Sequence, residues 1–178
     1  MSQDPRSSAP PPAAEDPAQP RICQSYLNKL SRTPDKGRRL AILKACAKVE
    51  APWVEALFWE ALSDSSGDVR DHIVRELAGR PSLNLKRAAG RLQGPPWYAR
   101  SAALKIIGRH RIRDAVAEIR RVVDDPNVDV RRSAAEALGE IGGREALSLL
   151  VEMKKDPNVY VRMMAEEGIE KVSEIRFS

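Results

Sequence analysis

Aromatic residues are scarce in this chain, at 4% of its 178 residues. Strands favour aromatic and β-branched side chains, so an apolar content carried by alanine, leucine, valine and isoleucine points to closely packed helices. Cysteine is almost absent. Cys23 and Cys46 have no CxxC spacing and no histidine ligand pair near them, and two lone thiols read as packing residues in a reducing compartment. No apolar run approaches the length needed to span a membrane. The opening Met1-Ser2-Gln3-Asp4-Pro5-Arg6 leads into alanine and proline, without the apolar core of a signal peptide. A cytoplasmic protein is expected.

What is present fits one folded domain. Apolar residues make up 42% of the chain, and its length allows a sizeable buried interior. The net charge of +5 is unevenly spread. Residues 80–121 hold eleven basic side chains against Asp114 and Glu118 alone, whereas the segments on either side are balanced or acidic.

Residues 1–20 carry six of the thirteen prolines, among Ala, Ser, Asp and Gln. Proline blocks helix interiors, and few large apolar residues are present to offset the entropy of ordering, so a disordered tail is expected there. From residue 21 a repeat takes over. Arg39, Arg70, Arg100, Arg131 and Arg162 succeed one another at spacings of 31, 30, 31 and 31 residues. Three positions on from each come Ile42, Ile73, Ala103, Ala134 and Ala165, and seven on come Cys46, Leu77, Ile107, Leu138 and Ile169. These positions share one helical face. Eight on stand Ala47, Ala78, Gly108 and Gly139, but Glu170 breaks the small-residue rule. Four residues before each arginine, Asp35, Ser66, Pro96, Asn127 and Asn158 mark the helix entries, and all but the proline are good N-caps. A second amphipathic segment precedes each helix, over 52–63, 82–93, 112–124 and 144–155, and residues 21–32 supply the first. The reading is all-α, a right-handed α-α superhelix of about five helix pairs within a 21–178 domain. The pairs are placed at about 21–49, 51–79, 82–109, 112–141 and 143–173.

Asp125-Pro126-Asn127-Val128-Asp129-Val130-Arg131-Arg132, running on to Gly142, is echoed by Asp156-Pro157-Asn158-Val159-Tyr160-Val161-Arg162. This pattern resembles the HEAT-like repeat of the phycobilisome-lyase type over about residues 34–173. Repeats of this type occur in scaffolds, assembly factors, bilin lyases, hydroxylases and DNA-repair proteins. The resemblance implies a structural ladder in which the helix arginine pairs with the aspartate of its own or the next repeat. It would use Arg70, Arg131 and Arg162 with Asp64, Asp125 and Asp156. Arg39 and Arg100 lack the matching aspartate in their own repeats and are expected to be free for other partners.

Positions one and five after each arginine should line the inner surface. They read Leu40 and Lys44, Asp71 and Arg75, Ser101 and Lys105, Arg132 and Glu136, Met163 and Glu167. The i,i+4 pairs Asp71–Arg75 and Arg132–Glu136 are expected to neutralise each other. The candidate binding surface comprises Lys86, Arg87, Arg91, Lys105, Arg109 and Arg111 with Trp97 and Tyr98. Its cations scatter over an outer helix, an inner helix and a turn, which is also what a solvated basic edge looks like. Aromatics beside basic residues can stack on bases.

Catalytic motifs are missing. His72 and His110 have no His-Glu dipeptide and no HxxxH partner, which argues against the di-iron hydroxylase branch of HEAT-like proteins. No nucleophile elbow, phosphate loop or dinucleotide glycine pattern occurs. The expectation is therefore a protein that is not an enzyme and takes no cofactor or metal. It would be a non-catalytic protein–protein interaction scaffold or assembly factor, with another protein as partner and no membrane. A nucleic-acid or polyanion binder using segment 80–121 is the alternative. A bilin-lyase-like chaperone rests on the resemblance alone.

Overall fold

The structure is a computed structural model and describes residues 18–175, Ile175 by its backbone alone. The expected tail lies outside the described residues except for residues 18–20, which form the first turn of a helix. The helices run α1 (Ala18–Ser31), α2 (Lys36–Ala47), α3 (Pro52–Ala61), α4 (Gly67–Ala78), α5 (Leu85–Arg91), α6 (Trp97–Arg109), α7 (Val116–Ile119), α8 (Val128–Ile141), α9 (Arg144–Met153) and α10 (Val159–Ile175). From α3 onward each odd-numbered helix packs on the even one after it, and α1 packs on α3. The even-numbered helices stack on one another in order along the solenoid.

The entries obey the caps. Asp35 accepts from the Arg38 amide at 2.8 Å, Asn84 from the Arg87 amide at 3.1 Å, and Asn127 from the Asp129 amide at 2.9 Å. Asn158 does the same for the Tyr160 amide at 2.9 Å. Each satisfies a backbone donor that the first helical turn leaves orphaned. Ser66 stands at the N-cap of α4 without making that bond. Pro52 opens α3, where its missing N–H costs nothing.

The segment 112–124 departs from the single helix expected of it. Arg111 takes a left-handed φ of 49° after α6, and the chain continues as the one-turn α7 between 3-10 turns at Arg113–Ala115 and Arg120–Val122. Ala115, Val116, Ile119, Val122 and Val123 are still buried, so the apolar face is preserved although the winding varies.

The core runs continuously between the two helix layers. Leu43, Leu57, Phe58, Ile73, Leu77, Leu104, Ile107, Leu138 and Leu150 are fully buried, each worth about 1.5–3 kcal/mol relative to exposure. Tyr26 stacks on Trp53 at 5.0 Å, joining α1 to α3, and the Trp53 amide donates to the Gln19 side chain. Cys23 and Cys46 are buried and unpaired, and burial pushes both thiols above their ordinary pKa.

How closely the even helices approach depends on two positions. The eighth residue after one arginine faces the sixth after the next: Gly108 meets Ala137, and Gly139 meets Gly168. A Cβ on Gly139 would lie 2.7 Å from the Gly168 Cα, and one on Gly108 would lie 2.9 Å from the Ala137 Cα. The corresponding register positions in the α4–α6 step are Ala78 and Ile106, and in the α2–α4 step Ala47 and Glu76. The helices accordingly pack closely from α6 to α10 and more loosely from α2 to α6.

Replacing Gly139 with valine forces backbone apart and should cost about 2–3 kcal/mol. Replacing Gly90, whose Cβ would meet nothing within 4 Å, with alanine should gain about 0.5–1 kcal/mol. Urea unfolding of both variants checks the pair. Equal effects at the two glycines would contradict the close-approach argument.

Candidate partner-binding groove

The repeated arginines decide the geometry of the inner face. Arg39 Nε donates to Asp64 Oδ2 at 2.7 Å and its Nη2 to Oδ1 at 2.9 Å. Arg100 grips Asp125 in the same way at 2.8 and 2.9 Å, and Arg131 grips Asp156 at 2.7 and 3.2 Å. Each pair is a two-toothed fork crossing from one repeat to the next. The remaining Nη1 points back to the backbone of its own repeat: Arg70 to Asp64 O, Arg100 to Gly94 O, Arg131 to Asp125 O, Arg162 to Asp156 O.

This corrects two expectations. Arg39 and Arg100 are not free; they make two of the three forks. Arg70 and Arg162 do not grip the carboxylates of Asp64 and Asp156 with their side chains, because those oxygens face the preceding repeat. Arg70 instead lies over the Tyr98 ring at 4.2 Å and has no carboxylate partner among the described residues.

Beside Arg70 a groove of about 420 Å³ opens between α4, α6 and α8. Five cations line it, Arg70, Arg75, Lys105, Arg109 and Arg132, against the carboxylates of Asp71 and Asp129. Arg132 pairs with Asp129 at 3.3 Å. The expected Asp71–Arg75 and Arg132–Glu136 pairs are not formed, because i,i+4 spacing permits a meeting without compelling one. Trp97, 41% exposed, and Tyr98 complete the wall. Ser101 and Ser133 share a buried hydrogen bond of 2.7 Å beneath it.

Of the candidate surface residues, Trp97, Tyr98, Lys105 and Arg109 meet in this groove. Lys86, Arg87 and Arg91 lie on α5 instead. Arg91 is tied to Glu60 and Ser63 of the preceding pair, so it serves packing there. Arg111 belongs to a separate hollow with Glu140 and Gly142. The charged groove residues missed in sequence are Arg70, which the ladder had claimed, and Asp129. The signal for Arg70 was present: Gly94 and Pro95 stand where a carboxylate should come after it.

His72 is buried beneath the inner face. Its Nδ1 lies 3.7 Å from Glu76, and its Nε2 has no hydrogen-bond partner. Burial lowers its pKa from about 6.5, and Lys44 and Arg75 add to this against the opposing pull of Glu76. His110 Nε2, by contrast, donates to Leu77 O at 2.9 Å and ties α6 to α4. Burial alone would raise the Asp64 and Asp156 carboxyls. The forks from Arg39 and Arg131, the amides of Ser66 and Asn158 and the nearby Arg70 and Arg162 outweigh it and hold both below the usual carboxylate range.

The family model for HEAT repeats matches residues 85–170. Those residues are HEAT repeats. No curated protein matches this chain. Among solved structures, human deoxyhypusine hydroxylase in complex with glycerol is similar at 21% identity and a TM-score of 0.58. The match covers 87% of this chain and 63% of that one, so the chain spans under two thirds of the hydroxylase's length. At that identity the likeness shows the shared α-solenoid.

The expectation that the chain is not an enzyme is overturned by this neighbour, which is an enzyme of the same fold. The physical reason lies in the stacking. Helices from distant points in the sequence present side chains on one face, so a reaction centre needs no contiguous motif and the lack of one excludes nothing. Among the described residues no group of three or more His, Cys, Asp or Glu is placed to hold a metal ion. No described helix is long and apolar enough to cross a membrane.

The shifts separate two pH ranges. The unfolded chain takes up a proton at His72 before the folded one does, so stability should be full above about pH 6.5 and fall below it. Asp64 and Asp156 titrate lower in the folded state, so their contribution holds above about pH 4 and fades as the pH drops further. Replacing His72 with glutamine should flatten the stability curve between about pH 6.5 and 5 and leave the steeper acid limb. Denaturant midpoints across pH 3–8 check this, and an unchanged slope near pH 6 would contradict it.

Proposed function

We propose that this HEAT-repeat scaffold binds a partner protein, receiving a segment of it in the groove between α4, α6 and α8. The observation that carries the reading is the groove itself. The exposed Trp97 stands beside Arg70, Arg75, Lys105 and Arg109, none of which has a carboxylate within 4.0 Å among the described residues, and α6 packs closely on α8 beneath them. Tryptophan, tyrosine and arginine dominate binding energy at protein interfaces, and a rigid support lowers the entropy lost on docking. HEAT repeats commonly serve this role. A cytoplasmic setting suits two buried, unpaired thiols.

Affinity capture with the wild-type chain should recover a stoichiometric protein partner at moderate salt. A Trp97→Ala/Lys105→Glu variant should lose it, while Lys86→Glu on α5 should keep it. Recovery of no protein across a range of salt, or of one indifferent to the groove variant, would contradict the proposal.

A further inference from the structure

We infer that the groove takes an acidic segment of its partner, one carboxylate of which fills the rung missing beside Arg70; this builds on the partner-binding reading above. The neighbouring rungs define the gap. In Arg39, Arg100 and Arg131 the Nε–Nη2 edge holds a carboxylate from the next repeat at 2.7–3.2 Å. Arg70 is anchored as they are, with Nη1 on the carbonyl of its own repeat at 2.7 Å. Its Nε–Nη2 edge meets no acceptor among the described residues. Tyr98 covers a face of the guanidinium at 4.2 Å, and stacking of this kind leaves the edge donors available.

The missing carboxylate has an address. Arg100 Nη1 donates to Gly94 O at 3.1 Å, the same bond that Arg131 makes to Asp125 O and Arg162 to Asp156 O. Gly94 therefore occupies the aspartate position of its repeat. A Cβ there would meet nothing within 4 Å, so the place is open. Arg162 also lacks a forward carboxylate, but it lies outside the groove and no further repeat comes after it among the described residues.

The surroundings select the ligand. Arg75, Lys105 and Arg109 line the same groove with no carboxylate within 4.0 Å among the described residues, so their field favours an anion. A carboxylate matches the planar two-donor edge of arginine. Asp71 and Asp129 on the wall can accept peptide N–H groups, whereas they repel a run of phosphates. The cations converge on one hollow instead of tracking along the solenoid as a nucleic-acid backbone requires. Trp97 offers the apolar contact that a side chain next to the acid can cover.

The test uses fluorescence anisotropy with three labelled probes: an eight-residue aspartate–glutamate peptide, its asparagine–glutamine counterpart and a 20-mer of single-stranded DNA. The acidic peptide should bind at least about tenfold more tightly than the amide peptide. Arg70→Gln and Gly94→Asp should each weaken it about tenfold, and Lys86→Glu/Arg87→Glu should not. Gly94→Asp supplies the rung from within, so its thermal midpoint should rise by a few degrees, separating a filled site from an unfolded one. Equal binding of the two peptides, binding of no probe, tighter binding of the DNA, indifference to Gly94→Asp, or a lowered midpoint in that variant would overturn the inference. A protein partner still captured by Gly94→Asp but lost with Trp97→Ala would also overturn it, while leaving the partner-binding reading standing.

Discussion

A guanidinium on one inner helix grips a carboxylate at the head of the next repeat, and the register of the stack depends on that forward step. Arg39 with Asp64, Arg100 with Asp125 and Arg131 with Asp156 are mostly shielded from water, their side chains 6–15% exposed. Pairs so placed lose hydration nearly as large as the attraction they gain, so their main contribution is geometric. They leave one relative position in which every donor is satisfied. The Asp carboxylate also accepts from the amide two residues on, as in Ser66, Asn127 and Asn158, so one side chain caps its own turn and receives the neighbour's arginine.

How evenly that step is repeated decides where the helices close up and where they part. Between α6, α8 and α10 the forks coincide with glycine and alanine at the crossing, and the helices close up. Between α4 and α6 both are lost: the carboxylate position is Gly94 and the crossing carries Ile106. The groove lies at this irregular step, and Trp97 and Tyr98 stand where it opens. An interruption in the repeat thus coincides with the groove.

Much of the architecture was legible because a repeat announces its own period. The five arginines, the apolar face three and seven residues beyond them and the Asn and Asp caps all mark helices found in the structure. The sequence left the ladder open between the aspartate of the same repeat and that of the next, and the named pairs matched each arginine with the aspartate six residues before it. The partner actually lies 25 residues ahead, a spacing visible in the sequence but meaningful only once the repeats are stacked. The basic segment 80–121 divided for a related reason: charge along a chain says little about which helix face will carry it. Local pairing on the inner face was also over-read, since Asp71 and Arg75 have the spacing of an ion pair without forming one. The lack of a contiguous catalytic motif carried too much weight, because a fold that assembles a face from separated helices needs none.

The forward fork is tested most directly by a double-mutant cycle on Arg100 and Asp125, comparing Arg100→Met, Asp125→Asn and the double variant by urea unfolding. A coupling of about 1–3 kcal/mol is expected, with an Arg131→Met/Asp125→Asn cycle giving much less because that arginine reaches only the Asp125 carbonyl. Additivity at Arg100 and Asp125, or a larger coupling between Arg131 and Asp125, would contradict the account.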